Sequence, residues 1–394
     1  PASVEVRRVP SGEPLRLKRF LTRAKLMRLA QFLFYPAFME RQSAWVRQAI
    51  EEGERVLRQG GADLVYTCSG PYCSNRIGLV LSRRFGVPWV ADHRDPWTQS
   101  WGLHWPSRLH HAYCATFENE VLRRCSRFVT NTPGQREDLL RRFPSADPDR
   151  IVTIPNGYDE EDFAGPPPPK GERFVILHAG SFSDRSVGGT APLGGPVRRL
   201  LRNRLEYRNR DFDLSAHSPA PVFRALALLR AGHPEFFTRA EFRLVGRVSG
   251  GWRGIAASLG VADAVRLTGP LPHEDAVREM RGADLLFAPE MVRRSGGRVG
   301  CTSQKLYEYL RAGPPVLATG GSGDTQDVIR ETGSGWSFEP GDASGISDFI
   351  LRSARGETVS GPRRSEVIAR FDRRRLSSLL AETFRGALGE GRRP

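Results

Sequence analysis

The chain has 394 residues, and a single hydrophobic core rarely grows beyond about 250 to 300 residues, so two domains are expected. Its composition, 39% hydrophobic and 26% charged, is that of a globular protein, and no apolar run reaches the roughly 18 residues that predict a membrane span. The formal net charge of +15 favours an anionic partner, although a bias toward arginine codons would produce the same excess.

The first predicted element is a basic, amphipathic helical region at residues 16–58. Apolar residues such as Phe20, Leu29 and Phe34 recur at helical spacing among many arginines. Such a region usually covers a sheet, and it can also lie on an anionic membrane surface. We favour the sheet-covering role and keep a peripheral position on the inner face of the membrane as the alternative.

Strands and helices alternate in the segment that follows. Four segments are predicted strands: DLVYTCSG, VPWVADHRD, RFVTNT and RIVTIPNG. One predicted helix, SNRIGLVLSRRFG, ends at Gly86. Alternation of this kind predicts a parallel sheet covered on both faces. We therefore predict a Rossmann-like N-terminal domain over residues 1–165.

A second alternating series begins at the proline-rich linker 166–170. Its strands include FVILHAGSF, EFRLVGRV and DLLFAPE, which predict a second doubly wound α/β domain over residues 166–370. A Gly- and Arg-rich insertion at 184–217 interrupts this series and is predicted to be a surface loop. Residues 371–394 are predicted to form a final helix.

The cysteines and histidines predict neither disulfides nor a metal site. The five cysteines include no C-x-x-C pair, and the eight histidines are scattered. A reduced, cytoplasmic setting is therefore expected. The first residues, PASVEVRRVPSGEP, lack the apolar stretch of a signal peptide.

Charged residues follow one predicted strand of the first domain, in WVADHRDPW. Ligands of open parallel sheets bind outside the carboxyl ends of the strands, so Asp92, Arg94 and Asp95 are candidate catalytic residues. A carboxylate there could orient a substrate hydroxyl group or act as a base. The alternative is an Asp–Arg pair that only closes the turn before Pro96.

A glycine-containing loop runs directly into a helix in SGGRVGCTSQKLYEYLRAG of the second domain. Thr302 or Ser303 is the expected N-cap, and free N–H groups at such a helix start suit a diphosphate. Lys305 adds positive charge, and Glu308 could bind the hydroxyl groups of a ribose. The alternative is an ordinary helix with a Lys–Glu pair at i,i+3 spacing.

Taken together, these segments resemble a glycosyltransferase of the GT-B fold, in the family 4 group of retaining sugar-nucleotide enzymes. The resemblance rests on GVPWVADHRDPW, VTIPNGYDEEDF, VILHAGSF, FRLVG, DLLFAPE and SQKLYEYLRAGPPVLATGGSGD, in the expected order over residues 60–385. It implies two Rossmann-like domains facing a cleft, with the donor in the C-terminal domain, the acceptor mostly in the N-terminal one, and the last helix, 371–394, crossing back to the N-terminal domain. The donor would be a UDP- or GDP-linked sugar, and no metal cofactor would be needed. The acceptor would be a saccharide, a lipid-linked molecule or a small molecule, in glycan or polysaccharide biosynthesis.

The resemblance also assigns site residues. Glu308 matches the second glutamate of the family's E-x7-E pattern, which binds the donor ribose, and Gly300 stands at the first. The transferred sugar would then be held by backbone groups of residues 296–303. On the acceptor side, Arg94 falls near a histidine common in the family, and Asp95 matches the acid after it. The implied donor-binding set is Gly180, Ser181, Arg185, Arg247, Thr302, Ser303, Lys305, Leu306 and Glu308.

Two departures from the family pattern shape the alternatives. A basic pair is expected where Ser181 and Phe182 stand, so Arg185 or Arg247, with Lys305, would supply that charge. The chain also begins after the position of the family's first strand and glycine-rich loop, which we interpret as truncation. The alternative is a catalytically degenerate relative that binds nucleotide sugars. A nucleic-acid partner is not expected, since no recognised binding signature accompanies the basic charge.

Overall fold

The computed structural model describes residues 4–12, 15–23, 26, 43–182, 206–357 and 360–390. Arg185 and the greater part of the predicted insertion lie outside the described residues. The helical region predicted at 16–58 is described in part, and its described residues include the helices Leu15–Arg23 and Val46–Arg58.

Helices and strands alternate along most of the chain. The helices are α1 (Leu15–Arg23), α2 (Val46–Arg58), α3 (Ser74–Phe85), α4 (Arg108–Arg124), α5 (Pro133–Arg142), α6 (Ala220–Gly232), α7 (Pro234–Arg239), α8 (Gly251–Ser258), α9 (His273–Gly282), α10 (Gln304–Ala312), α11 (Asp324–Thr332), α12 (Ala343–Ala354), α13 (Ser365–Ile368) and α14 (Arg373–Glu390). The strands are β1 (Val65–Ser69), β2 (Trp89–His93), β3 (His104–Trp105), β4 (Arg127–Thr130), β5 (Ile151–Thr153), β6 (Phe174–Ala179), β7 (Tyr207–Arg208), β8 (Phe212–Asp213), β9 (Ala240–Val245), β10 (Val265–Gly269), β11 (Leu285–Pro289), β12 (Val292–Arg293), β13 (Val316–Thr319) and β14 (Gly335–Phe338).

The chain forms two compact units. Of the described residues, the first unit contains those up to Ile154 together with 206–209 and 378–390, and the second contains the rest. The units divide at Ile154, eleven residues before the predicted boundary at 165, because Tyr158 and Phe163 are buried in a core cluster of the second unit. Among the described helices, none is long and apolar enough to cross a membrane.

The first unit is built on a parallel sheet with the strand order β1-β2-β4-β5. Trp89 of β2 is fully buried, and its Nε1 donates a hydrogen bond of 2.9 Å to Thr67 Oγ1. Helix α3 approaches this ring closely, since a Cβ atom on Gly78 would lie 2.1 Å from Trp89 Nε1. The helix ends as predicted at Gly86, whose φ of 68° lies in the left-handed region that glycine favours.

The second unit is built on a parallel sheet with the strand order β10-β9-β6-β11-β13-β14. From β6 the chain runs outward to β9 and β10, and then returns to β11 on the other side of β6. The strand order therefore reverses between β6 and β11. Such a switch point opens a crevice at the carboxyl ends of the two strands, where ligands of α/β folds bind.

The described end of the predicted insertion is ordered by short strands. In the first unit, β7 pairs with β3, and in the second unit β8 pairs with β12. The carboxylate of Asp211 accepts hydrogen bonds of 2.9 Å from both the backbone N–H and the hydroxyl of Ser295. Residues 211–213 are thus attached to the loop that leads toward α10, which the prediction of a surface loop did not include.

Candidate functional site

The first candidate site lies at the carboxyl end of β2 in the first unit. The Asp92 side chain is buried and accepts two hydrogen bonds, one of 2.7 Å from Tyr66 Oη and one of 2.8 Å from Arg94 Nε. The other end of the Arg94 guanidinium donates a 2.7 Å bond to the Ile154 carbonyl. Asp92 therefore holds Arg94 in place, which is the geometry of the predicted Asp–Arg pair.

Asp95 differs from Asp92, because the residue is exposed, while partial burial of its carboxyl group raises its pKa and the charge of Arg94 opposes this rise. The backbone at Asp95 is held by Tyr72, whose Oη hydroxyl donates to the carbonyl oxygens of Asp95 and Pro96, each at 3.1 Å. The carboxylate of Asp95 is thus presented to solvent on an ordered turn, where it can accept a hydrogen bond from a hydroxyl group.

A buried His–Glu pair supports this turn, and the sequence did not indicate it. His93 Nε2 lies 2.9 Å from the Asn75 amide nitrogen, which donates to it, so the proton of the imidazole is on Nδ1. That Nδ1 faces Glu118 Oε1 at 3.8 Å. Burial lowers the pKa of His93 to about 3 and raises the pKa of Glu118 to about 7. The other Glu118 oxygen accepts from the backbone and hydroxyl of Thr98.

The second candidate site is a pocket at the switch point between β6 and β11. It contains four of the predicted donor residues, Ser181, Ser303, Lys305 and Leu306. Its other lining residues are His178, His217, Ala288, Pro289, Glu290 and Tyr309. The Gly180 backbone lies beside the pocket, because a Cβ atom there would lie 2.9 Å from Lys305 Cε.

The ends of β6 and β9 approach each other closely beside this pocket. The Gly180 amide donates a 2.7 Å bond to the Val245 carbonyl, and a Cβ atom on Gly246 would lie 2.4 Å from the Gly180 carbonyl oxygen. Gly246 also has a φ of 127°, so glycine suits the position on both grounds. Arg247, which follows it, is exposed and does not line the pocket.

Glu290 connects the end of β11 with the start of α10. Its buried carboxyl group accepts a 3.0 Å bond from Thr325 Oγ1 and bonds from the backbone N–H groups of Met291 and Ser303. Burial raises the pKa of Glu290 to about 7. Ser303 is the N-cap residue of α10, but its side chain makes no capping bond. The Glu290 carboxyl group, at the end of β11, thus accepts the hydrogen bond of the Ser303 N–H. Thr302, the other predicted N-cap residue, is buried.

His178, the residue before the last of β6, lines the pocket with a hydrogen-bond acceptor, Nε2, that has no partner among the described residues. Its Nδ1 lies 2.9 Å from the Phe287 carbonyl oxygen, which can only accept, so Nδ1 carries the proton. Its Nε2 is buried and has no partner among the described residues. Burial lowers the pKa of His178 to about 3, so the imidazole is neutral.

Helix α10 presents Glu308 and Tyr309 one turn beyond Lys305. Burial raises the pKa of Glu308, and the positive charges of His273, Lys305 and Arg373 oppose this rise. The buried Tyr309 hydroxyl accepts a 2.8 Å bond from the Ala179 N–H, which ties α10 to the end of β6. The predicted Lys305 and Glu308 therefore lie on a helix that the sheet holds firmly.

Sequence reasoning missed His178, Glu290 and Glu118. His178 and Glu290 each stand at the carboxyl end of an apolar strand, the same signal that selected Asp92. Glu118 has no comparable signal, since it lies inside a helix among residues of mixed polarity.

The folds of known proteins agree with two Rossmann-like units. Sucrose-phosphate synthase from Thermosynechococcus elongatus is similar over 88% of this chain and 78% of its own, with a TM-score of 0.58 and 17% identity. The Anabaena protein HepE, solved in complex with UDP, is similar over 86% of this chain and 81% of its own, with a TM-score of 0.57 and 16% identity. The fold is therefore of the GT-B class, as predicted.

Comparison with sequence families identifies the family within this fold class. A family model described as "Glycosyl transferase 4-like domain" matches residues 1–157, and one described as "Glycosyl transferases group 1" matches residues 221–355. The chain belongs to the GT-B glycosyltransferases of the family 4-like type.

Curated relatives match at lower coverage. The D-inositol 3-phosphate glycosyltransferase of Streptomyces coelicolor is 29% identical over 269 residues, which are 66% of this chain and 54% of the relative. The Streptomyces scabiei protein of the same name is 28% identical over 66% of this chain and 53% of its own. The chain thus spans about half the length of the curated relatives it matches.

Proposed function

We propose that the chain transfers a sugar from a nucleoside diphosphate donor to a hydroxyl acceptor, with retention of configuration. The observation that carries this proposal is the pocket at the switch point, where Lys305, the start of α10 and the Gly180 backbone come together. The solved structures of HepE with UDP and with UDP-glucose support a donor of this kind.

In this proposal the donor diphosphate is neutralised by the protein and needs no metal. Lys305 supplies a full positive charge, and the N-terminus of α10 adds the positive end of a helix dipole. Because Gly180 has no side chain, its backbone lies close to Lys305, and a Cβ atom there would lie 2.9 Å from Lys305 Cε. Glu308 binds the hydroxyl groups of the ribose, and the base is uracil or guanine.

The acceptor side rests on Arg94 and Asp95. Asp92 and the Ile154 carbonyl hold the Arg94 guanidinium in one orientation, and the exposed Asp95 carboxylate accepts a hydrogen bond from the attacking hydroxyl. Rate enhancement then comes from positioning the acceptor and stabilising the leaving diphosphate. The acceptor is a saccharide, a lipid-linked molecule or a small molecule, and the names of the curated relatives make D-inositol 3-phosphate one to test first.

Calorimetric titration with UDP and GDP tests the donor assignment in the wild type and in Lys305→Met and Glu308→Gln. Loss of a charge-assisted contact of about 1.5 to 3 kcal/mol weakens binding by about tenfold or more. Arg253→Met is the matched control, since Arg253 is an exposed cation of α8 that does not line the pocket. Binding of neither nucleotide to the wild type would refute the proposal.

Transfer assays separate the enzyme from the degenerate relative. The wild type is incubated with UDP-glucose and a panel of acceptors that includes D-inositol 3-phosphate. Release of nucleotide that depends on an acceptor, and that falls in Asp95→Asn, supports transfer. Nucleotide binding without any transfer across the panel would favour the catalytically degenerate alternative.

A further inference from the structure

Buried polar atoms without partners are rare, because leaving one unbonded costs about 1 to 3 kcal/mol. His178 Nε2 is such an atom, and it lies on the wall of the switch-point pocket. The rest of its ring is fixed by the bond between Nδ1 and the Phe287 carbonyl. Its orientation is therefore set in the absence of ligand, and what it lacks is a donor from the pocket.

The chemistry of this atom selects the group that can satisfy it. Because Nδ1 carries the proton and the ring is neutral, Nε2 can only accept a hydrogen bond. Phosphate oxygens at neutral pH are also acceptors, so a diphosphate cannot supply the missing bond. A hydroxyl group can, because it carries its own proton, and it leaves the ammonium donors of Lys305 for the diphosphate.

Lys305 lies next to this acceptor. A Cβ atom on Gly180 would lie 2.9 Å from His178 Nε2 and 3.2 Å from Lys305 Nζ, so both nitrogens lie close to the Gly180 backbone and to each other. The Lys305 ammonium group suits an anion, and the neutral His178 Nε2 suits a hydroxyl group. A sugar joined to a diphosphate carries both groups within a few ångströms.

Glu290 lines the same pocket and follows the last residue of β11, whereas His178 lies on β6. Its carboxyl group accepts bonds from Thr325, Met291 and Ser303, and in its ionised form it has about four acceptor positions. About one position therefore remains for a hydroxyl group from the pocket.

We infer that His178 and Glu290 form the binding site for the transferred sugar, and that each accepts a hydrogen bond from one of its hydroxyl groups beside the diphosphate held by Lys305. This inference rests on the proposed function and deepens it. It moves the sugar contacts from the backbone of residues 296–303, where the sequence placed them, to two side chains at the switch point.

The experiment compares the affinities of the full chain for UDP and UDP-glucose, and for GDP and GDP-mannose, by calorimetry. In His178→Asn the side-chain amide can still donate to the Phe287 carbonyl, while the acceptor at Nε2 is lost. We expect affinity for the nucleotide sugar to fall about fivefold to tenfold and affinity for the free nucleotide to stay within about twofold. His233→Asn, at an exposed histidine of the same unit, is the matched control.

Glu290→Gln is the second variant, and circular dichroism of both variants confirms folding. It should reduce affinity for the nucleotide sugar more than for the nucleotide. Equal losses for both ligands in both variants, or no loss in either, would overturn the inference while leaving nucleotide binding established. If the wild type bound none of the four ligands, the proposed function would fail, and this inference with it.

Discussion

Replacing Glu118 with glutamine should change how the stability of the first unit depends on pH. Glu118 lies on α4 and is 1% exposed, with one carboxyl oxygen bonded to Thr98 and the other facing His93 Nδ1 at 3.8 Å. Burial raises the pKa of this carboxyl group from an ordinary value of 4.5 to about 7. Ionising it in the folded protein is therefore harder than in the unfolded chain.

The sign and size of the effect follow from linkage. The carboxyl group favours folding fully below pH 4.5, and this contribution is lost as the pH rises to about 7. The loss amounts to about 3 kcal/mol, since each pKa unit corresponds to about 1.4 kcal/mol. Glutamine has no such titration. Part of this loss has already occurred at pH 5, so the variant should gain about 2 to 3 kcal/mol relative to the wild type between pH 5 and pH 8.

Urea unfolding at pH 5, 6, 7 and 8, followed by tryptophan fluorescence, measures this change. Most of the signal comes from the first unit, which holds five of the seven tryptophans, at positions 45, 89, 97, 101 and 105. A new polar contact of the glutamine shifts the difference equally at every pH. Burial lowers the pKa of His93 to about 3, so its imidazole is neutral from pH 5 to pH 8 in both folded proteins. Neither effect therefore contributes to the pH dependence of the difference. Glu137→Gln, at an exposed position of α5, is the control.

A constant difference between Glu118→Gln and the wild type, within about 0.5 kcal/mol from pH 5 to pH 8, would refute this reasoning. It would mean that Glu118 is ionised in the folded protein as easily as in water. The buried His–Glu pair beneath the Asp95 turn would then be a hydrated or charged pair.

Two further predictions concern packing and surface. Gly78→Ala should lower stability by about 1 to 3 kcal/mol, because its Cβ atom would overlap the buried Trp89 ring. Gly254 has open space around it, so Gly254→Ala should raise stability by up to about 1 kcal/mol. Thermal unfolding of both variants measures these changes, and equal effects of the two substitutions would contradict the prediction. Phe20 is 62% exposed on the basic helix α1 and should insert into anionic vesicles. Phe20→Glu should therefore reduce sedimentation of the protein with phosphatidylserine vesicles several-fold. Leu109→Glu is the control, at a residue that is 80% exposed on α4, and it should not change sedimentation. Equal sedimentation of the Phe20 variant and the wild type would favour a helix that only covers the protein.

The sequence determined the local elements and the points where chemistry could occur. Apolar runs with period-2 or helical spacing predict strands and helices because the burial of their side chains depends on spacing along the chain. Gly86 marked the end of α3, since only glycine adopts its left-handed conformation readily. The same local signals placed Asp92 at a strand end and Lys305 in the first turn of a helix.

The tertiary structure alone decided which of these groups meet and what each can do. His178 and Glu290 are more than a hundred residues apart and share a pocket because the strand order reverses between β6 and β11. Asp92 is a buried anchor for Arg94, while Asp95, three residues later, is exposed. No sequence pattern reports these differences, because burial and hydrogen bonding depend on neighbours that long-range folding supplies.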